Sequence, residues 1–207
     1  MQDEYQVLNT AATTYVDTEV SGLYGAIAYG VRFDRSATEA AAASATAIHA
    51  AAACASDATQ TFTTGITQPS CARNITATTS GTSGDVKAVS VTVYGTNIAG
   101  EDISEVLPAF TVNTNETQSG SKAFASITSY SVPAMDGTGC SVSIGTGDKL
   151  GLPWKLSRNT LLQTHLADTL EGTAATIAKS ASALESNTID LNSALNGTAV
   201  KAYFLLP

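Results

Sequence analysis

The stretch VKAVSVTVYGTNIAGEDISEVLPAF, residues 86–110, decides the fold class. Val89, Val91 and Val93 alternate with Ser, Thr and Tyr, which is the period-2 pattern of a strand with one buried face. The link GTNIAGE is rich in turn residues, and a second strand is predicted after it over residues 103–110. The stretch therefore predicts two partner strands joined by a turn.

Similar signals recur along the chain at intervals of about ten residues, which favours a β-sandwich or barrel. Further strands are predicted over residues 123–132, 140–144, 173–178, 188–191 and 200–205. Residues 161–170 fit either one short helix or a pair of strands. The fold prediction is an all-β, antiparallel sandwich or barrel over residues 58–207, preceded by an N-terminal arm, residues 1–57.

Two glycine-containing segments predict turns. Asn196-Gly197 favours a type I′ turn, because both residues tolerate positive φ, and it would form a closing hairpin with the last strand. The segment GTGDKLG, residues 145–151, lacks the spacing of a phosphate-binding loop. It predicts a tight turn in which Asp148 accepts hydrogen bonds from backbone N–H groups.

The N-terminal arm contains one predicted strand and an alanine-rich segment. Alternation of apolar residues over residues 23–33 predicts the strand. Residues 36–55 are rich in alanine and begin with a capping box, Ser36 and Glu39, which favours a short helix. The segment has few large apolar residues, so an extended arm that becomes ordered on assembly is the alternative.

Composition narrows the classes of function. Charged residues make up 14% of the chain, against about a quarter in an average domain, and the net charge is -8. Thr, Ser, Ala, Gly and Asn take their place, and such neutral surfaces suit proteins that are buried among neighbours. The basic residues are scattered singly, which argues against nucleic-acid binding. No run of about 18 apolar residues occurs, so no segment is expected to span a membrane.

Residues that could carry catalysis are few and widely separated. His49 and His165 lack a second His or Cys at ligand spacing, and no GxSxG motif occurs. Cys54, Cys71 and Cys140 form no CxxC pair, so we expect small reduced thiols rather than a disulfide framework or a zinc site. The sequence therefore predicts a protein that is not an enzyme and needs no cofactor or metal.

Several segments between residues 47 and 206 resemble sequences of structural proteins from tailed bacteriophages. They are TTGITQP (63–69), ARNITAT (72–78), VTVYGTNIAGE (91–101) with ISE (103–105), SKAF (121–124), IGTGDKLGLP (144–153) and NTIDLNSALNG (187–197). This chain has Ser70-Cys71-Ala72 where such proteins usually carry an acidic residue and a proline before the arginine.

The resemblance implies a capsid decoration (cement) protein of the virion, assembled in the host cytoplasm. Such a protein would pack as a homo-oligomer, with a trimer favoured, between capsomers of the major capsid protein. Ile27 and Tyr29 in the arm are candidate interface residues. Arg73 is a candidate for a charge-assisted contact with a carboxylate or backbone carbonyls, or for a local loop brace. The alternatives are a tail, neck or fibre protein, a host-surface-binding β-sandwich module, and a virion-borne enzyme.

Overall fold

The computed structural model describes residues 13–15 and 27–206, and their regular structure consists almost entirely of antiparallel strands. The strands are β1 (Thr13–Tyr15), β2 (Ile27–Arg35), β3 (Ser44–Ala53), β4 (Gln60–Phe62), β5 (Arg73–Gly81), β6 (Thr92–Thr96), β7 (Asp102–Val106), β8 (Thr117–Phe124), β9 (Ser126–Val132), β10 (Cys140–Gly151), β11 (Leu161–Leu166), β12 (Thr169–Leu170), β13 (Thr176–Ala178), β14 (Thr188–Asp190) and β15 (Val200–Leu206). Two short 3-10 turns, Ser83–Asp85 and Leu184–Ser186, accompany them. The prediction of an all-β, antiparallel fold is confirmed.

The strands form three sheets. The five-stranded sheet has the order β1-β2-β15-β11-β12, and the four-stranded sheet has the order β4-β9-β6-β7. The six-stranded sheet has the order β13-β14-β10-β5-β8, with β3 added to β10. Strand β5 pairs with one edge of β10. The other edge of β10 is shared, because β3 pairs with the first half of β10 and β14 pairs with the last two residues of β10.

A first hydrophobic core lies between the four-stranded sheet and the first half of β10 with its neighbours. The alternation predicted at residues 140–144 is confirmed, since Cys140, Val142 and Ile144 all point into this core. Within the four-stranded sheet, Phe62 stacks on its cross-strand partner Tyr130, with ring centroids 4.7 Å apart, and His49 of the six-stranded sheet packs against Tyr130 from across the core, with ring centroids 5.4 Å apart. These two layers form the predicted sandwich.

A second core lies between the five-stranded sheet and the second half of β10 with β14. Val200, Ala202 and Phe204 alternate along β15 and are fully buried against it. Leu150 near the end of β10 belongs to this second core. Trp154 packs edge-on against Phe204, with ring centroids 5.7 Å apart. Strand β10 therefore runs through both cores.

A side-chain seam joins the edges of the two sandwich sheets. The Glu105 carboxylate on β7 accepts hydrogen bonds from the backbone N–H of Ser121, at 2.7 Å, and of Lys122, at 3.2 Å, both on β8. Lys122 Nζ donates in return to the backbone carbonyl of Ser104 at 3.0 Å. Edge strands expose unpaired backbone groups that invite aggregation, and here charged side chains occupy them.

The alanine-rich segment forms a strand rather than a helix. The capping box does form, because the Ser36 N–H donates to the Glu39 carboxylate at 2.9 Å and the Ala40 N–H donates to the Ser36 carbonyl. The chain then leaves this single turn, and β3 pairs with β10. The helix prediction is wrong because cross-strand pairing outweighs the helix propensity of alanine.

Both described parts of the predicted arm are joined to the rest of the chain. Strand β2 pairs with β15 along seven residues, and β3 pairs with β10. The strand predicted over residues 23–33 is observed from Ile27, and residues 23–26 lie outside the described residues.

Both predicted turns are wrong in detail. Residues 145–151 continue β10 as a strand with a register shift against β5, so Asp148 does not cap a tight turn. Only Gly197 of the Asn196-Gly197 pair has positive φ, and β15 pairs with β2 and β11 instead of forming a hairpin across it. The two-residue turn with positive φ at both positions is Ala167-Asp168, which joins β11 to β12. Residues 161–170 are therefore a strand pair.

The decisive stretch gives the expected pair of strands with shifted bounds. Strand β6 begins only at Thr92, while Val89 lies before it and packs against the first core without belonging to a strand. Strand β7 ends at Val106, just before Leu107-Pro108. Pro108 has no N–H group to donate to a neighbouring strand, so strand pairing is expected to stop before it.

Candidate functional site

The face of the six-stranded sheet that points away from the first core carries small and hydroxyl side chains, of which Thr76 and Ser143 are buried. Strand alternation places it opposite the buried residues Ile75, Ala77, Val142 and Ile144. Its paired positions are Ser80 with Ser141, Thr78 with Ser143 and Thr117, and Thr76 with Gly145 and Ser119. The Thr78 and Thr117 hydroxyls are hydrogen-bonded at 2.8 Å. None of these positions is charged.

The outward face of the four-stranded sheet has the same character. Its cross-strand rows are Thr61, Ser131, Thr92 and Val106, then Ser129, Tyr94 and Ser104, then Ser126, Thr96 and Asp102. Asp102 is the only charged residue in these rows, and it lies at one end. Val106 is 66% exposed and Tyr94 is 42% exposed, so both offer apolar surface. We call this surface the hydroxyl face.

The size of the hydroxyl face limits what it can do alone. Four strands about 4.8 Å apart and five residues long cover about 300 Å². A stable interface buries about 800 Å² on each partner. The face therefore suits one of several repeated contacts rather than a single strong one.

The structure places the three candidate interface residues differently. Tyr29 is 47% exposed near the start of β2, opposite Leu206 of β15. Ile27 opens the same strand and pairs with Tyr15 of β1. Arg73 is 2% exposed, so its side chain is enclosed within the chain.

Arg73 braces backbone at the boundary of the two cores. Its Nε donates to the Gly147 carbonyl at 2.9 Å, Nη2 donates to the same carbonyl, and Nη1 donates to the Ala41 carbonyl at 3.0 Å. Burial lowers the pKa of Arg73 below its usual value, opposed in part by Cys71 and Asp148. The guanidinium holds the irregular part of β10, which agrees with the brace interpretation and with carbonyls as its partners.

Asn74 braces the same region. Its amide Nδ2 donates to the Gly120 carbonyl at 3.0 Å, and its Oδ1 accepts from the Lys149 N–H at 3.0 Å. The residue is 1% exposed, so it is closed to modification in the folded chain. Sequence gives no sign of this role, because both contacts are distant in sequence.

The two histidines lie in different sheets. His49 packs against Tyr130 and Phe62, with ring centroids 5.4 Å and 5.5 Å away, and its Nδ1 lies 2.7 Å from the Ala50 carbonyl. His165 lies edge-on to Tyr203 on the outer side of the five-stranded sheet, with centroids 5.8 Å apart. The structure does not bring the two imidazoles together.

The cysteines are reduced, and two of them are neighbours in the first core. The Cys54 N–H donates to the Cys140 carbonyl at 3.1 Å. Burial, assisted by a hydrogen bond with Cys140, raises the pKa of the Cys54 thiol to about 12. Burial also raises the pKa of Cys71, although Arg35 and Arg73 oppose it. A raised pKa leaves little thiolate at neutral pH, so the Cys54 and Cys71 thiols are poor nucleophiles.

A polar cleft of about 400 Å³ lies beside the brace formed by Arg73 and Asn74. Its walls come from the start of β3 and from β5, β8, β10 and β14, and the lining includes Ser44, Thr76, Ser119, Asp148, Lys149 and Asp190. Asp148 Oδ1 is shielded from solvent and has no hydrogen-bond partner within the described residues. Burial raises the pKa of Asp190, with Lys149 opposing this and Asp148 adding to it. We call this space the junction cleft.

Metal clusters and membrane-spanning helices are both missing from the described part of the chain. Across residues 13–15 and 27–206, no three His, Cys, Asp or Glu side chains are grouped so that they could hold a metal ion. No helix in the same residues is long and apolar enough to cross a bilayer. No protein-family model, curated protein or solved structure matched the chain.

Proposed function

We propose that this chain is a non-enzymatic structural component of a tailed-phage virion, and among such components a capsid decoration protein. It would assemble as a homo-oligomer, with a trimer favoured, and pack against the major capsid protein. The single observation that supports this best is the largely uncharged hydroxyl face of the four-stranded sheet on a chain whose net charge is -8. The resemblance of the segments in β5, β6, β10 and β14 to phage structural proteins supports the assignment to a virion.

The charge distribution explains why the hydroxyl face is the natural contact. Copies that carry a net charge of -8 repel one another unless the surfaces that meet are neutral. The hydroxyl face meets this condition, and Tyr94 supplies the large amphipathic side chain that commonly anchors interfaces. Threonine methyl groups add apolar contact without the cost of burying a charge.

Repetition around the particle supplies the strength that one face lacks. An oligomer that touches several capsomers at once converts later contacts into intramolecular ones, which raises the overall affinity by about 10²–10⁴. A modest area per contact is therefore sufficient for stable decoration. The mechanism requires shape and area but no chemical step.

A substitution on the hydroxyl face tests the proposal. The change Val106→Lys places a charge on the face, whereas Val112→Lys places the same charge on a loop residue that is 49% exposed. Purified variants would be added to capsids that lack the protein, and bound copies would be measured by sedimentation and densitometry. We expect Val106→Lys to raise the apparent dissociation constant for capsids at least about tenfold, which corresponds to about 1.4 kcal/mol, and Val112→Lys to bind as the unmodified chain does.

A reconstruction of the intact virion locates the chain directly. Density on the capsid surface between capsomers supports decoration. Density in the tail, neck or fibre contradicts decoration but keeps a structural role. A chain that is absent from the particle, or that remains a monomer without affinity for capsids, contradicts the whole proposal.

A further inference from the structure

The junction cleft brings two carboxylates, one ammonium group and several hydroxyls together around one space. Asp148 and Asp190 present carboxylates, which only accept hydrogen bonds, while Lys149 presents an ammonium, which only donates. Ser44, Thr76 and Ser119 add hydroxyls, which do both. A ligand that satisfies this lining must offer donors and acceptors close together.

The shielded oxygen of Asp148 indicates that the lining is incomplete without a donor. Within the described residues, no group donates to Asp148 Oδ1 although the atom is closed to solvent. Leaving a buried acceptor unpaired is unfavourable, because the atom loses its hydrogen bonds to water and gains none in return. The Asp148 side chain lines the cleft and is only partly buried, so a turn of its carboxylate would present this oxygen to a ligand donor and remove the penalty.

The lining also selects among ligand classes. Anions are disfavoured because two carboxylates line the space, and a cation would have to approach the Lys149 ammonium. Apolar and aromatic ligands find no large apolar side chain, since the remaining lining consists of Ala43, Ala45, Asn74, Thr117, Thr146 and Gly147. Neutral hydroxyl groups match every element of the lining, because each one both donates and accepts.

We propose that the junction cleft binds a polyhydroxylated ligand, namely a saccharide ring whose hydroxyls donate to Asp148 and Asp190 and accept from Lys149. The volume of about 400 Å³ lies within the range of about 300–1,000 Å³ that small-ligand pockets occupy. This binding is a second property beside the proposed structural role, and it requires neither capsid nor oligomer. The lack of an aromatic platform keeps affinity low, with a dissociation constant of about a few millimolar for a monosaccharide.

The test is a two-dimensional ¹H–¹⁵N NMR titration of the whole chain with glucose, galactose, mannose and sorbitol. Arginine hydrochloride and calcium chloride serve as cationic comparisons. We expect at least one sugar to shift the amide resonances of Thr76, Gly147, Lys149 and Asp190 saturably. The amide resonances of β15, which lies outside the cleft, should not shift.

Matched variants make the result specific. The double change Asp148→Asn with Asp190→Asn should weaken sugar binding about fivefold to tenfold, because charged acceptors make the stronger hydrogen bonds. Ser119→Phe, which fills the cleft from the edge strand β8, should abolish it. Asp57→Asn, an exposed position outside the cleft, should bind as the unmodified chain does. The spectrum of each variant also reports whether it is folded.

Three results would overturn the proposal. One is the lack of saturable shifts with all four polyols up to about 100 mM. Another is binding of arginine or calcium at the same amides without binding of sugars. The third is a folded Ser119→Phe variant that binds sugar unchanged. Each concerns the cleft alone, so failure here leaves the capsid-binding experiment to decide the structural role separately.

Discussion

The seam at Glu105 gives the sharpest test of how the sandwich is held closed. In the change Glu105→Ala, the backbone N–H groups of Ser121 and Lys122 lose their acceptor, and so does the Ser121 hydroxyl. The edge of β8 then has no side chain covering these two amides. Water can reach part of this edge, because Ser121 itself is exposed.

The magnitude follows from the bonds lost. A hydrogen bond to a charged group contributes about 1.5–3 kcal/mol, and two backbone bonds are lost at a partly exposed edge. Water replaces part of this, so we expect a decrease of about 2 kcal/mol in the free energy of unfolding. The shortest of these bonds, 2.7 Å to the Ser121 N–H, should carry the largest share.

Urea denaturation of wild type and variant measures the change, with an unaltered slope showing that the compactness of both states is kept. Hydrogen exchange supplies the local readout, because the amides of Ser121 and Lys122 should lose protection beyond the global change. Glu171→Ala is the matched control. Its carboxylate accepts one exposed bond, from the Ser193 N–H at 3.0 Å, and should cost less than about 1 kcal/mol.

Equal destabilisation by Glu105→Ala and Glu171→Ala would refute the reasoning. So would unchanged exchange at Ser121 and Lys122. Either result would mean that solvent serves these amides as well as the carboxylate does.

Two further predictions concern the first core. Gly95→Ala should lower the free energy of unfolding in urea by about 3 kcal/mol, because the added Cβ would lie 1.9 Å from the Ser126 carbonyl oxygen. Gly84→Ala is the control, since a Cβ there meets open space, and it should change stability by less than about 0.5 kcal/mol. Similar values for both variants would contradict the close approach of β6 and β9. Tyr130→Phe should stabilise the chain by about 1 kcal/mol at neutral pH, because the buried hydroxyl has no hydrogen-bond partner among the described residues. Burial raises the pKa of Tyr130 to about 12, so the native state keeps a proton that the unfolded state releases near its ordinary pKa of about 10. Wild-type stability should therefore fall as the pH rises from about 10 through 12, and Tyr130→Phe should lack that part of the fall, measured by urea titrations across this range; an identical pH dependence in both proteins would count against the burial of this phenol.

Strand alternation could be predicted where large apolar residues mark the period. Val142 and Ile144 identify β10, and Val200 and Phe204 identify β15, because each large side chain must find a core. Alanine gives no such signal. The course of β3 is decided by its pairing with β10. The two strands approach closely at Gly145, where an added Cβ would lie only 2.0 Å from the Ser44 carbonyl oxygen.

The site could be predicted only in part. For Arg73 the sequence predicts a charge-assisted contact with a carboxylate or backbone carbonyls, or a local loop brace, and the observed partners are the Gly147 and Ala41 carbonyls. Glu105, Asp148 and Asp190 were not assigned these roles. Their contacts join strands that are distant in sequence, and no local spacing marks such encounters. The neutral character of the outer faces, by contrast, follows directly from the Ser and Thr at alternate strand positions.

The position of strand β10 determines how the described part of the chain unfolds. Because this one strand is built into two separate interiors, neither half can melt and leave the other with an intact sheet. We therefore expect unfolding in one cooperative step, and pulling on one half should load the continuous backbone of β10 instead of prising apart a boundary between independent modules.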